Sequence, residues 1–126
     1  MPRAPKPTRA ELAILRILWA NGPQTVRQVH DALAPQGTLA YTTTLKQMQI
    51  MMEKGLVVRA EIGRQHVYRS RESELAMQKR LVRDLIDRAF GGTSGRLVLQ
   101  ALATQKATPD DLREIRRLLD QQERKE

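Results

Sequence analysis

The chain contains no cysteine. Disulfides, thiolate nucleophiles and cysteine-ligated metals are excluded together, and a reducing cytoplasm is the expected compartment. Histidine occurs only at His30 and His66, on different predicted elements. No His-Glu-x-x-His motif, no G-x-S-x-G elbow and no phosphate-binding glycine loop is present. No enzyme, metal site or cofactor is expected, and both histidines read as surface residues of a helix or hairpin. The aromatic rings are Trp19, Tyr41, Tyr68 and Phe90, too few for the stacking platform that single-stranded RNA needs. No apolar run approaches the roughly 18–20 residues of a membrane span, so no membrane insertion is expected. The N-terminal Met1-Pro2-Arg3-Ala4-Pro5-Lys6-Pro7 has no apolar signal core. Its three prolines forbid a regular helix, and it reads as a short, flexible, basic arm.

What the chain does have is positive charge. The 126 residues carry a net +8 and an isoelectric point near 10.6, which favours a polyanion: DNA, RNA or an anionic membrane surface. The excess is uneven. Residues 1–70 hold a net +6 and residues 71–126 a net +2, the latter with the mixed signs of solvated helices. The length suits one ordinary domain or two very small ones. If there are two, neither has much core, and a second copy of the chain becomes a source of burial.

Local signals divide the chain clearly. Thr8 and Glu11 form a capping box at the start of a first helix, whose apolar positions include Leu12, Leu15 and Leu18, and Asn21-Gly22-Pro23 stops it. Thr25 and Gln28 repeat the box for a second helix, which Pro35-Gln36-Gly37 ends, with residues 38–40 readable as a short extended segment. A third helix is predicted from about Thr42 to Lys54, capped by Gly55. Two short strands around a turn containing Gly63 follow, a β-hairpin. The remainder is helical: residues 74–90, a break at Gly91-Gly92, a short helix around Leu97 to Leu102, and a last helix with Thr108 as N-cap and Pro109 at its first position. A polar tail runs from Gln121 to Glu126. The expected fold is mostly α with a small β-hairpin: an N-terminal winged helix-turn-helix over residues 1–72 and a C-terminal helical dimerisation region over 73–126.

At 100° per residue the third helix has two faces. Thr44, Met48, Met51 and Met52 point inward, with Leu45 on the flank. Thr42, Thr43, Lys46, Gln49 and Ile50 point outward, with Glu53 at the far end. That outward set suits a major groove: Gln pairs with adenine edges, Lys with guanine or phosphate, Thr with either, and Ile touches a thymine methyl. With Tyr41 at the helix start, these are the DNA-contact candidates of the helix. Arg64, Gln65 and His66 are the candidates at the hairpin tip, and Arg3, Lys6 and Arg9 are candidates for contact with the DNA backbone.

Ala40-Tyr41-Thr42-Thr43-Thr44-Leu45-Lys46, Glu53-Lys54-Gly55-Leu56-Val57 and Gly63-Arg64-Gln65-His66-Val67-Tyr68 occur in an order and spacing that resembles the penicillinase-repressor (BlaI/MecI) family. Trp19, Thr25 through His30 and Thr108-Pro109-Asp110-Asp111-Leu112 extend the likeness from about Pro7 to Leu119. The resemblance implies a winged-helix repressor that binds dyad operators upstream of resistance or stress genes and dimerises through its C-terminal helices. It also implies a membrane sensor protease as partner. In the antibiotic-responsive relatives, cleavage falls in a Leu-Val-Leu-Asn-Phe-like segment. Leu97-Val98-Leu99-Gln100-Ala101 is the matching stretch, so Gln100 and Ala101 are the candidate cleavage residues, standing where the relatives carry Asn-Phe. The cysteine-rich metal motif of copper-responsive relatives is absent.

The expected mechanism follows. Two chains pair through C-terminal helices, with Leu81, Leu85, Phe90 and Leu97 as interface or core candidates, together with Leu102, Leu112, Ile115 and Leu118. Pairing places two third helices about 34–36 Å apart, one turn of double-stranded DNA. The alternatives are a winged-helix protein–protein adaptor and a non-specific duplex-DNA binder.

Overall fold

The computed structural model describes residues 6–34, 37 and 39–125. Arm residues 1–5, the Pro35-Gln36 stop and Thr38 lie outside the described residues. The element order is α1 (Arg9–Asn21), α2 (Val26–Leu33), α3 (Tyr41–Lys54), β1 (Val57–Ile62), β2 (Gln65–Ser70), α4 (Glu74–Ala89), α5 (Ser94–Thr104) and α6 (Pro109–Arg124). The chain divides into two compact units, Met1–Leu81 and Val82–Glu126.

The helix starts follow from side-chain chemistry. The four orphan N–H groups of a helix N-terminus need acceptors. Thr8 Oγ1 takes the Glu11 N–H at 3.1 Å, and Glu11 Oε1 takes the Thr8 N–H at 2.8 Å. Thr25 and Gln28 do the same for α2, at 3.2 and 2.9 Å. Thr108 Oγ1 accepts from the Asp111 N–H at 3.0 Å, with Pro109 at the first position of α6. α3 starts differently: its N-cap is Ala40, in extended geometry and without a side-chain cap. The predicted extended segment is therefore not a strand where it is described. Its last residue is the entry to α3. α6 runs on through Arg124, so most of the expected polar tail is helix. Pro7 is buried, which ends the arm one residue earlier than its proline content implied.

The first unit is a winged helix. α1 buries Glu11, Ile14, Leu15 and Leu18, spaced i, i+3, i+4, i+7. α3 contributes Thr44, Met48 and Met51, as its 100° periodicity predicts. α3 ends at Gly55 (φ 82°, ψ 18°), in the left-handed region, and the Leu56 N–H reaches back to the Met51 carbonyl at 2.9 Å. β1 and β2 pair antiparallel with Ile62 opposite Gln65, leaving the two-residue turn Gly63-Arg64. Gly63 has φ 64°, the positive angle a type II′ turn needs at its first central residue. Tyr68 of β2 also exchanges both backbone hydrogen bonds with Gln24, at 2.8 and 2.9 Å. The segment before α2 thus adds a third, one-residue rung to the sheet, and Tyr68 is held fully buried beneath it. α4 enters from this core: Met77 is buried in it and Leu81 packs against it. Trp19 Nε1 donates to the Glu72 carbonyl at 3.0 Å, and Arg80 pairs with Glu72 at 2.8 Å.

One ion pair spans this unit. Glu11 is completely buried. Lys54 Nζ, at the end of α3, donates to its two oxygens at 2.9 and 3.1 Å. The capping carboxylate of α1 therefore also fastens the C-terminal end of α3.

The second unit has no comparable core. Neither α5 nor α6 contains a buried residue. Leu85, Leu99, Leu102, Leu118 and Leu119 are between 42% and 69% exposed.

Candidate nucleic-acid interface

The outward face of α3 divides into two stripes. Thr42, Thr43, Lys46 and Ile50, spaced i, i+1, i+4, i+8, line a shallow depression together with Gln47. Thr42, Thr43 and Lys46 are exposed, and Ile50 is half-buried. The second stripe, Tyr41, Leu45 and Gln49, faces the wing. It shares a cavity of about 380 Å³ with Arg64, Gln65 and His66, and with Arg27, Arg59 and Tyr68. Of the predicted contact residues on α3 and the wing, Thr42, Thr43, Lys46, Gln49, Arg64, Gln65 and His66 are exposed, Ile50 is half-buried, and Tyr41 is half-buried against the core. Gln49 and Tyr41 are grouped with the wing tip, not with Lys46.

The strand register explains the wing's contribution. Arg59 stands across from Tyr68, and Glu61 from His66. Paired residues share a sheet face, so Arg59 projects on the same side as the buried tyrosine, toward the helices. Arg27 reaches the cavity from the first turn of α2, with its guanidinium carbon 4.2 Å from the centroid of the Tyr41 ring. Arg27 and Arg59 were not among the sequence candidates. Strand alternation from Val57 pointed to Arg59, whereas nothing local places Arg27 on Tyr41.

His30 corrects an expectation. It is buried and not on a helix surface, with 8% of its area exposed. Its Nδ1 lies 2.9 Å from Thr44 Oγ1, a hydrogen bond whose direction follows the imidazole tautomer. Its ring meets Tyr41 edge-on, 5.7 Å between centroids. The signal was present: Val26, Val29, His30 and Leu33 are spaced i, i+3, i+4, i+7. The polar character of histidine masked its place in that stripe. His66 lies exposed on the wing as expected.

Of the predicted dimerisation residues, Leu81 packs against the winged-helix core. Phe90, Leu97, Leu112 and Ile115 are half-buried, and Leu85, Leu102 and Leu118 are exposed. Gln100 and Ala101 are exposed inside α5. Lys6 and Arg9 are exposed, whereas Arg3 lies outside the described residues. No described helix is long and apolar enough to cross a membrane.

Three helices closed by a two-stranded wing, with α3 presenting a hydroxyl- and cation-bearing face beside it, define a winged helix-turn-helix protein. The penicillinase-repressor family model matches residues 7–121, and the chain belongs to that family. It is 44% identical over 59 residues to the transcriptional regulator BlaI of Mycobacterium tuberculosis, covering 46% of this chain and 43% of that protein. The match thus spans less than half the length of that relative. It is 21% identical over 121 residues to the penicillinase repressor of Bacillus licheniformis, covering 96% and 94% of the two chains. The solved DNA-binding domain of the repressor BlaI superposes with a TM-score of 0.51 at 23% identity, covering 59% of this chain and 90% of that one. The family is one of transcriptional regulators, not enzymes.

Proposed function

We propose that the chain is a sequence-specific DNA-binding transcriptional repressor that acts as a homodimer on a dyad operator in the cytoplasm and controls resistance or stress genes. The observation that carries this reading is the stripe of exposed Thr42, Thr43 and Lys46 with half-buried Ile50 on α3, beside a wing whose tip bears Arg64. These are the groups that read base edges, set next to a cation that reaches backbone or minor groove. Dimerisation is supported by the leucines that α5 and α6 leave exposed. On this reading, a sensor protease cutting at Gln100-Ala101 needs α5 to unwind first, because both residues lie within that helix.

The test is selection of duplexes from a random pool at roughly physiological salt. Enrichment of an inverted repeat is expected. Retention without enrichment would mean backbone-only binding, and no retention would favour an adaptor. On the selected duplex, Lys46→Ala is expected to weaken binding by about 1–3 kcal/mol. Unchanged affinity would overturn the reading role of this stripe.

A further inference from the structure

Several of the described cations are neutralised by carboxylates. Lys54 pairs with Glu11, Arg80 with Glu72, Arg88 with Asp84, Arg113 with Asp110 and Arg117 with Glu114. The cavity between α3 and the wing is different. It is lined by Arg27, Arg59 and Arg64 and by no aspartate or glutamate. Among the described residues none of these three arginines pairs with a carboxylate.

Arg27 is held in another way. Its guanidinium lies over the Tyr41 ring at 4.2 Å. That ring is met edge-on by His30, which is bonded to Thr44 Oγ1 at 2.9 Å. The series Arg27–Tyr41–His30–Thr44 therefore ties a surface cation on α2 to the buried face of α3. A cation held over a ring face is positioned without using its N–H donors. A planar fork with free donors matches the paired oxygens of a phosphate.

We propose that this cavity seats a phosphodiester of the DNA backbone, with Arg27 and Arg59 as its anchors and Tyr41 as the positioning shelf for Arg27. The seat fixes the register of α3 in the groove and carries no base information. This rests on the DNA-binding reading and changes one part of it, since Tyr41 then orients an arginine and reads no base. The site lies where the first helix of a helix-turn-helix pair passes the backbone.

The test measures binding to two probes, the duplex recovered by selection and a mixed-sequence duplex, over a series of salt concentrations. Arg27→Ala is expected to weaken both roughly tenfold and equally, and to make the log–log salt slope shallower by about 0.9, the value of one phosphate contact. Arg27→Lys is expected to keep the slope and lose affinity, because the charge stays but the fork does not. Tyr41→Phe is expected to bind as the wild type does, and Tyr41→Leu as Arg27→Ala does. In an Arg27→Ala background, Tyr41→Leu should add nothing further. The seat is overturned if Arg27→Ala leaves affinity and slope unchanged, or if its loss is confined to the selected duplex. Equal damage from Tyr41→Phe and Tyr41→Leu would overturn the shelf, because the hydroxyl would then be the contact. If Tyr41→Leu does not fold, the two Arg27 variants decide. Failure of the wild type to bind either duplex strikes the DNA-binding reading, whereas wild-type binding with an indifferent Arg27→Ala strikes this seat alone.

Discussion

Glu11→Ala is expected to remove about 2–4 kcal/mol of folding stability, from a lost helix cap, a lost partner for Lys54 and the gap left by a buried side chain. Three losses coincide at this position. The Thr8 N–H loses its acceptor, which undoes the capping box of α1. The Lys54 ammonium loses both of its carboxylate bonds. A fully buried side chain also leaves a gap between α1 and α3. Urea unfolding at neutral pH gives the measurement, and a change below about 1 kcal/mol would refute the assignment. For a small domain of typical marginal stability, a loss of the expected size leaves a substantial unfolded fraction.

The same pair sets an acid dependence. Burial by itself raises the Glu11 carboxyl pKa. The hydrogen bond from the Thr8 N–H, the bond and charge of Lys54 and the Thr8 hydroxyl outweigh it, and the pKa is lowered from its ordinary value. A carboxylate with a depressed folded-state pKa binds fewer protons folded than unfolded. Its stabilising contribution is therefore complete above the unfolded value, near 4.3, and is lost as pH falls through the lower folded value. The wild type should lose stability in that acid range, and Glu11→Gln should show a flatter dependence there. Identical acid profiles for the two proteins would contradict the pairing.

The second large effect concerns the exposed leucines. Leu102→Glu combined with Leu118→Glu is expected to convert a dimer to a monomer and to weaken operator binding about 10²–10⁴-fold. The loss is this large because the second half-site contact ceases to be intramolecular. Each leucine is more than 40% exposed in the single chain, and burying one fully is worth about 1.5–3 kcal/mol. The winged helix has its own core and should keep its thermal transition. Sedimentation equilibrium and titration of the selected duplex measure the two consequences. A wild type that is monomeric at every concentration tested, or a double variant that still dimerises, would refute the pairing surface.

Where the chemistry is local, the sequence was legible. A capping box joins residues three apart, so Thr8–Glu11 and Thr25–Gln28 could be read before any fold was known. A helix face repeats every 3.6 residues, so the inward set Thr44, Met48 and Met51 followed from spacing alone. The hairpin was legible too, because only a glycine comfortably takes the φ of 64° found at Gly63. His30 was misread because residue type outweighed its position in an apolar stripe. The Gln24 rung on Tyr68 gave no signal, because a single residue has no period.

The sequence by itself determined where α1, α2 and α6 begin and where α1 and α3 end, which face of α3 turns outward, and that the excess positive charge sits in the N-terminal half. Each of these depends on neighbours within a turn or two, or on a sum over residues. Only the tertiary structure decided that Lys54 closes on Glu11, 43 positions earlier, and that Arg27 sits over the Tyr41 ring. It also decided that Met77 and Leu81 pack with the winged helix while Leu102 and Leu118 remain exposed. The reason is that an apolar or charged side chain specifies the kind of neighbour it needs, and the path of the folded chain decides which residue is near enough to supply it.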